Sequence, residues 1–188
     1  IGVTINSLPV ITQSNSAICL NDTYTFSPSG ALTYTYSGGS AIVTPTATTS
    51  YSITGTDANG CVNTETASVV VNPVPTLSVT NGIICNGSSV TLNVNGAATY
   101  TWNPAATLSS ANGNNVTAFP STTTNYTVTG TDANGCTDSD TTTVTVVNNP
   151  TVTVASATIC IGGSTTLTAS GGNTYTWSPG TGLSSVNG

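Results

Sequence analysis

Five cysteines and six carboxylates are the side chains in this chain best suited to chemistry. The cysteines recur at two kinds of position. Cys19, Cys85 and Cys160 each stand ten residues after a proline (Pro9, Pro75 and Pro150), whereas Cys61 and Cys136 each directly follow an Asn-Gly pair. Thiols can cross-link, ligate metal or attack an electrophile. Metal ligation calls for closely spaced cysteine pairs or for histidine. Here the separations are 42 and 51 residues, and the sequence holds no His. The simplest pairing by position is Cys19 with Cys61 and Cys85 with Cys136, leaving Cys160 to a partner beyond residue 188, with free buried thiols as the alternative. A bridge closing a loop of about 50 residues contributes roughly 4 kcal/mol on the chain-entropy model, a large share of what a small core supplies. Such bridges imply an oxidising compartment, outside the cell or on its surface.

The carboxylates offer two further readings. In Asp57-Ala58-Asn59-Gly60 and Asp132-Ala133-Asn134-Gly135, carboxylate and amide oxygens alternate ahead of a glycine, as at the opening of a calcium loop. The later ligands, including a closing bidentate Glu, are missing. A hairpin turn, with Asp capping backbone amides and Gly at positive φ, accounts for the same residues. Asp138 and Asp140, two apart, would share one face of a strand. Acid–base catalysis by such a pair needs an apolar pocket to separate their pKa values, and none is legible, so solvated charges that discourage edge pairing are expected instead. Asp22 and Glu65 complete the set.

The elements that hold these residues repeat. The octapeptide Thr-Gly-Thr-Asp-Ala-Asn-Gly-Cys occurs at residues 54–61 and again at 129–136. In the same register the prolines and first-position cysteines recur at spacings of 66 and then 75 residues, the difference being a nine-residue deletion between Tyr36 and Cys61 relative to Trp102 and Cys136. Self-similarity at this period makes each copy a folding unit. The expected division is residues 1–8 as the last strand of a preceding repeat, 9–73 and 74–148 as complete repeats, and 149–188 as the first half of another. A chain that opens and closes inside a repeat is expected to be part of something longer. Between copies, Val71-Asn72-Pro73-Val74-Pro75 and Val147-Asn148-Asn149-Pro150 are short and proline-bearing, which predicts semi-rigid joints.

Composition excludes several functions. There is no Lys, Arg or His, and the net charge is −6. Nothing here neutralises phosphates, so nucleic acid and anionic lipid are poor partners. The usual proton shuttles and amine nucleophiles are absent as well. No apolar run reaches membrane-spanning length, so no membrane insertion is expected. No cofactor is implied and no enzymatic activity is expected. The 41 Thr, abundant Val and seven Tyr form a strand-building composition kept soluble by hydroxyls and amides.

In the second copy, alternation places strands at 75–80, 88–95, 98–103, 115–119, 124–131 and 139–147, separated by Asn-Gly turns, with no helical period anywhere. Six or seven short antiparallel strands per copy predict an all-β fold: tandem immunoglobulin-like β-sandwiches, arranged as beads in a linear rod. Period two puts Tyr100 with Trp102, Tyr175 with Trp177, and Tyr34 with Tyr36 on one face, opposed by Tyr126 and Tyr51 from a facing strand. These eight aromatics are the expected core.

The succession Pro-Thr-Val-Thr-Val, Ile-Cys-x-Gly-Gly-Ser-x-Thr-Leu-Thr-Ala-Ser-Gly-Gly, Tyr-Thr-Trp-Ser-Pro and Thr-Asn-Tyr-Thr-Val-Thr-Gly-Thr-Asp-Ala-Asn-Gly-Cys resembles the PKD-like and immunoglobulin-like repeats of giant secreted surface proteins in Bacteroidota. The resemblance covers essentially the whole chain. It implies type IX export and a place in an adhesin, a gliding-type filament or the spacer of a secreted enzyme. The first copy departs from the pattern by its deletion and by Tyr36 in place of Trp.

The function expected is therefore structural: the shaft of an extracellular fibre, filament or adhesin stalk, whose partners are neighbouring repeats and other copies of the same protein. The alternatives are a glycan-binding module, recognisable by exposed aromatics, and a passive spacer attached to a secreted enzyme. Glycosylation signals stand at Asn21, Asn86, Asn115 and Asn125, and at Thr141 in Asp140-Thr141-Thr142, but such strings arise by chance in a chain this rich in Asn and Thr. Threonine rows also suggest ice binding, which a twisted sandwich disfavours because it presents no flat ladder.

Overall fold

A computed structural model describes residues 2–187. Among them there is no helix, and none therefore that is long and apolar enough to cross a membrane. Ile1 and Gly188 lie outside the described residues.

The first part of the chain carries β1 (Ser16–Cys19), β2 (Tyr24–Thr25), β3 (Thr33–Tyr36), β4 (Ile42–Val43), β5 (Thr49–Thr56) and β6 (Val62–Asn72). The second carries β7 (Ser78–Val79), β8 (Gly82–Cys85), β9 (Val90–Asn95), β10 (Thr99–Asn103), β11 (Asn115–Ala118), β12 (Thr124–Thr131) and β13 (Thr137–Val147), with β14 (Thr153–Val154) and β15 (Ala169–Ser170) beyond. One sheet runs β1-β6-β5-β3 and another β10-β12-β13-β8, the same order read in opposite directions. Facing them are β2-β4 and β11-β9-β7. Two sheets with this strand order form an immunoglobulin-like sandwich.

Thr, Val and Tyr build these strands because alternate side chains enter the core while hydroxyls face water. The burial of β12 alternates accordingly, with Tyr126, Val128 and Gly130 inward. Two hydrophobic clusters result. Ile11, Phe26, Ile53, Ala67 and Val69 centre the first, and Leu92, Val94, Trp102, Val116, Tyr126, Val128 and Val144 are among those centring the second.

The strands in residues 75–147 fall where alternation places them, with one omission. Gly82–Cys85, expected to be loop between two Asn-Gly turns, is a strand, and it pairs parallel to β13, Cys85 opposite Val147. β1 pairs parallel to β6 in the same way, Cys19 opposite Asn72.

The nine-residue difference lies between β3 and β4, as the spacing requires. In the second part, residues 104–114 fill the corresponding stretch and supply polar partners to the core: Trp102 Nε1 donates to the Gly113 carbonyl at 2.9 Å, and Thr107 Oγ1 lies 2.6 Å from the Tyr126 hydroxyl. Leu108 from the same loop is buried. Without that loop an indole N–H at position 36 would lose its acceptor, and Tyr36 stands there half-buried. The first core closes instead with aromatics. Phe26, where the second part has Leu92, lies 5.0 Å from Tyr24, 5.2 Å from Tyr51 and 5.8 Å from Tyr36 between ring centroids.

Two expectations fail at the ends. Residues 2–8, expected as a closing strand, form no ladder, because no described strand lies beside them. Tyr175 and Trp177, expected in a core, are only half-buried, and no residue from 151 to 187 is fully buried. Tyr126 and Tyr51, expected on a facing strand, lie instead on the strand hydrogen-bonded beside the aromatic one in the same sheet, because β12 pairs with β10 and β5 with β3. No counterpart of β12 or β13 lies beside Tyr175 and Trp177 among the described residues. Tyr100, Trp102 and Tyr126 are buried, and Tyr34, Tyr36 and Tyr51 pack at the edge of the first cluster.

Candidate functional site

The chemistry of this chain converges on the joint between the two clusters. Cys19 ends β1, and Cys136 sits in the turn between β12 and β13. Their sulfurs are bonded at 2.02 Å, with the Cα atoms 5.5 Å apart and 117 residues of sequence between them. Cys61, Cys85 and Cys160 are free thiols.

The expected pairs Cys19–Cys61 and Cys85–Cys136 are thus overturned, and the parallel strands explain why. Cys19 lies against the end of β6, while Cys61 immediately precedes its start. The eleven residues of β6 separate those ends by about 33 Å. Cys85 and Cys136 stand at opposite ends of β13 in the same manner. Disulfides need Cα atoms within about 7 Å, so neither pair can close inside its own sandwich. What can close is the far end of one sandwich onto the near end of the next.

The turn that presents Cys136 is held by Asp132. Its Oδ1 accepts from the backbone N–H of Asn134 and of Cys136, each at 2.8 Å, and the Asp132 N–H donates to the Cys136 carbonyl at 2.9 Å. Gly135 has φ +85°, a conformation that side chains rarely adopt. Asp57 does the same for Cys61, with Oδ1 2.8 Å from the amides of Asn59 and Cys61. The Asp-Ala-Asn-Gly segments are therefore hairpin turns whose carboxylates point at their own backbone. No group of three or more His, Cys, Asp or Glu side chains gathers around a metal position among the described residues.

At the other half of the junction, Cys19 is followed by a tight turn in which Asp22 N–H donates to the Cys19 carbonyl at 3.0 Å and Leu20 N–H to the Asn72 carbonyl at 2.8 Å. The joint itself runs Asn72-Pro73-Val74-Pro75, and Pro75 is buried. Sequence reasoning found all the cysteines yet missed the strand that positions the first of each pair. The signal available was the short apolar run Ile83-Ile84 between two Asn-Gly turns.

Of the remaining candidates, Asn21 lies in the turn after Cys19 and Asp138 two residues beyond Cys136, while the others stand away from the bridge. Asp138 is exposed, and Asp140 Oδ1 accepts from the Thr141 N–H at 2.7 Å. Asn21, Asn86, Asn115, Asn125 and Thr141 are all exposed. A tyrosine clasp recurs that sequence reasoning did not find. Tyr100 Oη accepts from the Ala97 N–H and donates to the Ala97 carbonyl, both at 2.8 Å, and Tyr34 with Ala31 and Tyr175 with Gly172 repeat it.

Residues 72–150 match the family model described as an Ig-like domain, CHU_C associated. No curated protein matches the chain. Among solved structures, the titin domains z1z2 in complex with telethonin share 16% identity over 78% of this chain and 100% of theirs, at a TM-score of 0.31. The N-terminal Ig1-2 module of the Drosophila receptor protein tyrosine phosphatase DLAR shares 12% over 75% and 100%, at 0.30. The insect immune protein hemolin shares 14% over 74% and 46%, at 0.35.

Proposed function

We propose that this chain is a structural repeat region of an extracellular protein, in which residues 9–73 and 74–148 are consecutive immunoglobulin-like modules that hold distance outside a bacterial cell, as the shaft of a fibre, filament or adhesin stalk. The observation that carries this reading is the Cys19–Cys136 bridge between two separately closed cores. A linkage across the joint serves no purpose in a pocket or a catalytic centre, but it does transmit tension from one module to the next. An immunoglobulin-like domain with a disulfide fits an oxidising, extracellular setting, and such domains are typically non-catalytic. The absence of cationic side chains from the sequence and the hydroxyl-rich faces favour association with further copies of the same protein over nucleic acid or anionic membrane.

A glycan-binding role finds less support, because Trp102 is buried and Trp177, in the same register of the repeat, is half-buried. The module reading is tested by urea unfolding of the reduced chain carrying Trp177→Phe, where Trp102 fluorescence reports the second module alone and circular dichroism reports both. Non-coincident transitions are expected. A single shared transition, with the same midpoint for both probes, counts against two modules. Electron micrographs of purified protein test the lateral association, and dispersed single strings at neutral pH would argue against it.

A further inference from the structure

Three thiols are left over from the bridge, and two of them sit in half-sites built like the one that is closed. Cys85 ends β8 opposite Val147 as Cys19 ends β1 opposite Asn72. The turn after it matches as well: Ser88 N–H donates to the Cys85 carbonyl and Asn86 N–H to the Val147 carbonyl, both at 2.9 Å. Cys61 sits in a hairpin whose Asp57 carboxylate accepts from two turn amides at 2.8 Å each, as that of Asp132 does. Bridged Cys136 is fully buried, whereas Cys61 is half-buried and Cys85 exposed, as two halves of a junction would be without their partners.

We propose that Cys61 and Cys85 are interaction sites for further modules of the same kind, each forming the Cys19–Cys136 type of bridge: Cys85 with the hairpin cysteine of the module that follows, and Cys61 with the strand-end cysteine of the module that precedes. The partner is an immunoglobulin-like module carrying a cysteine after a parallel edge strand or after Asp-x-Asn-Gly. The inference rests on the module reading above.

Its consequence is a covalent ladder. Each bridge runs from the strand-end cysteine of one module to the hairpin cysteine of the next, and the next bridge starts inside that span, since Cys85 lies between Cys19 and Cys136. Consecutive brackets overlap, so no stretch of such an array is outside a bridge.

Closure is an ordinary exchange with an external disulfide, either a small-molecule disulfide or that of a dithiol–disulfide oxidoreductase. One thiolate attacks it, releasing a thiol and forming a mixed disulfide. The second cysteine thiolate then attacks the protein sulfur and expels the second thiol. Two electrons and two protons leave the cysteine pair and end on the external disulfide as two thiols.

The test places a copy of residues 74–149 bearing Cys136→Ser ahead of residues 9–188 bearing Cys85→Ser, so that Pro9 follows the joint as Pro150 does and each cysteine peptide has a single source. The oxidised protein is digested with pepsin at acid pH, and its linked peptides are identified by mass spectrometry. The expected linkages are Cys19–Cys136 together with Cys61 to the added copy of Cys85, and Cys61→Ser leaves that added cysteine a thiol. Cys61 remaining a thiol in a chain whose added copy resists proteolysis, or joined to Cys19, overturns the ladder and leaves the module reading intact. An added copy that is degraded as an unfolded segment counts against the module reading and the ladder with it.

Discussion

Asp132 illustrates how little of a residue's role is visible in its type. Its carboxylate is committed to two amides of its own turn, so it aims the cysteine rather than a ligand. Asp132→Ala should destabilise the second sandwich by about 1.5–3 kcal/mol, the usual range for hydrogen bonds to a charged group, read as a shift in the urea midpoint of Trp102 fluorescence. Gly96 is a second residue with a single tolerable identity. Its φ is +112°, and a Cβ there would run into the Thr76 carbonyl oxygen, as at Gly30 under Val10 and Gly171 under Thr151. Gly96→Ala is expected to lose more than the ~1 kcal/mol of a strained turn position, because the backbone segment carrying Thr76, just ahead of β7, must also move. Thermal unfolding followed by circular dichroism measures it.

Among the elements, the parallel edge strands and the 104–114 loop decide the most. β1 and β8 carry the first-position cysteines to the far end of their sheets, and this alone forbids a bridge within a sandwich. The loop decides how a core is filled. Where it is present, an indole and a phenol are buried with their polar atoms satisfied; where it is absent, a cluster of four aromatic rings takes its place. Phe26→Leu, which imposes the residue found at position 92, should therefore cost about 1 kcal/mol, since no Leu108 counterpart is there to fill the space. The converse substitution Leu92→Phe overpacks a core that already holds the loop and should cost 1–3 kcal/mol on the same general scale, seen as a lowered Tm. If both changes are neutral, the loop has no part in packing.

For the whole molecule, the bridge changes what a pull on the ends can do. Force entering at residue 19 passes to residue 136 through sulfur, so the 117-residue separation is bypassed. Single-molecule stretching of the oxidised chain should lack about 400 Å of extension that appears once the bridge is reduced, taking ~3.4 Å per extended residue. A thiol titration in denaturant without reductant should find three free thiols, where bridges within each sandwich would leave one. Reduction should also remove roughly 5 kcal/mol of loop-closure stabilisation on the chain-entropy model, lowering the midpoint of unfolding.

The repeat register, the all-β architecture, nearly every strand of residues 75–147 and the inward face of the Tyr-Thr-Trp strand were legible in the sequence, because period-two alternation and Asn-Gly turns are local signals. Even the deleted loop could be located from spacing alone. The partner of each cysteine could not be, since it depends on the direction in which a four-residue strand docks on a neighbour some fifty residues away in sequence. Parallel docking places that strand's end at the joint rather than at its own hairpin, and only the tertiary structure determines which end of a sheet meets which end of the next.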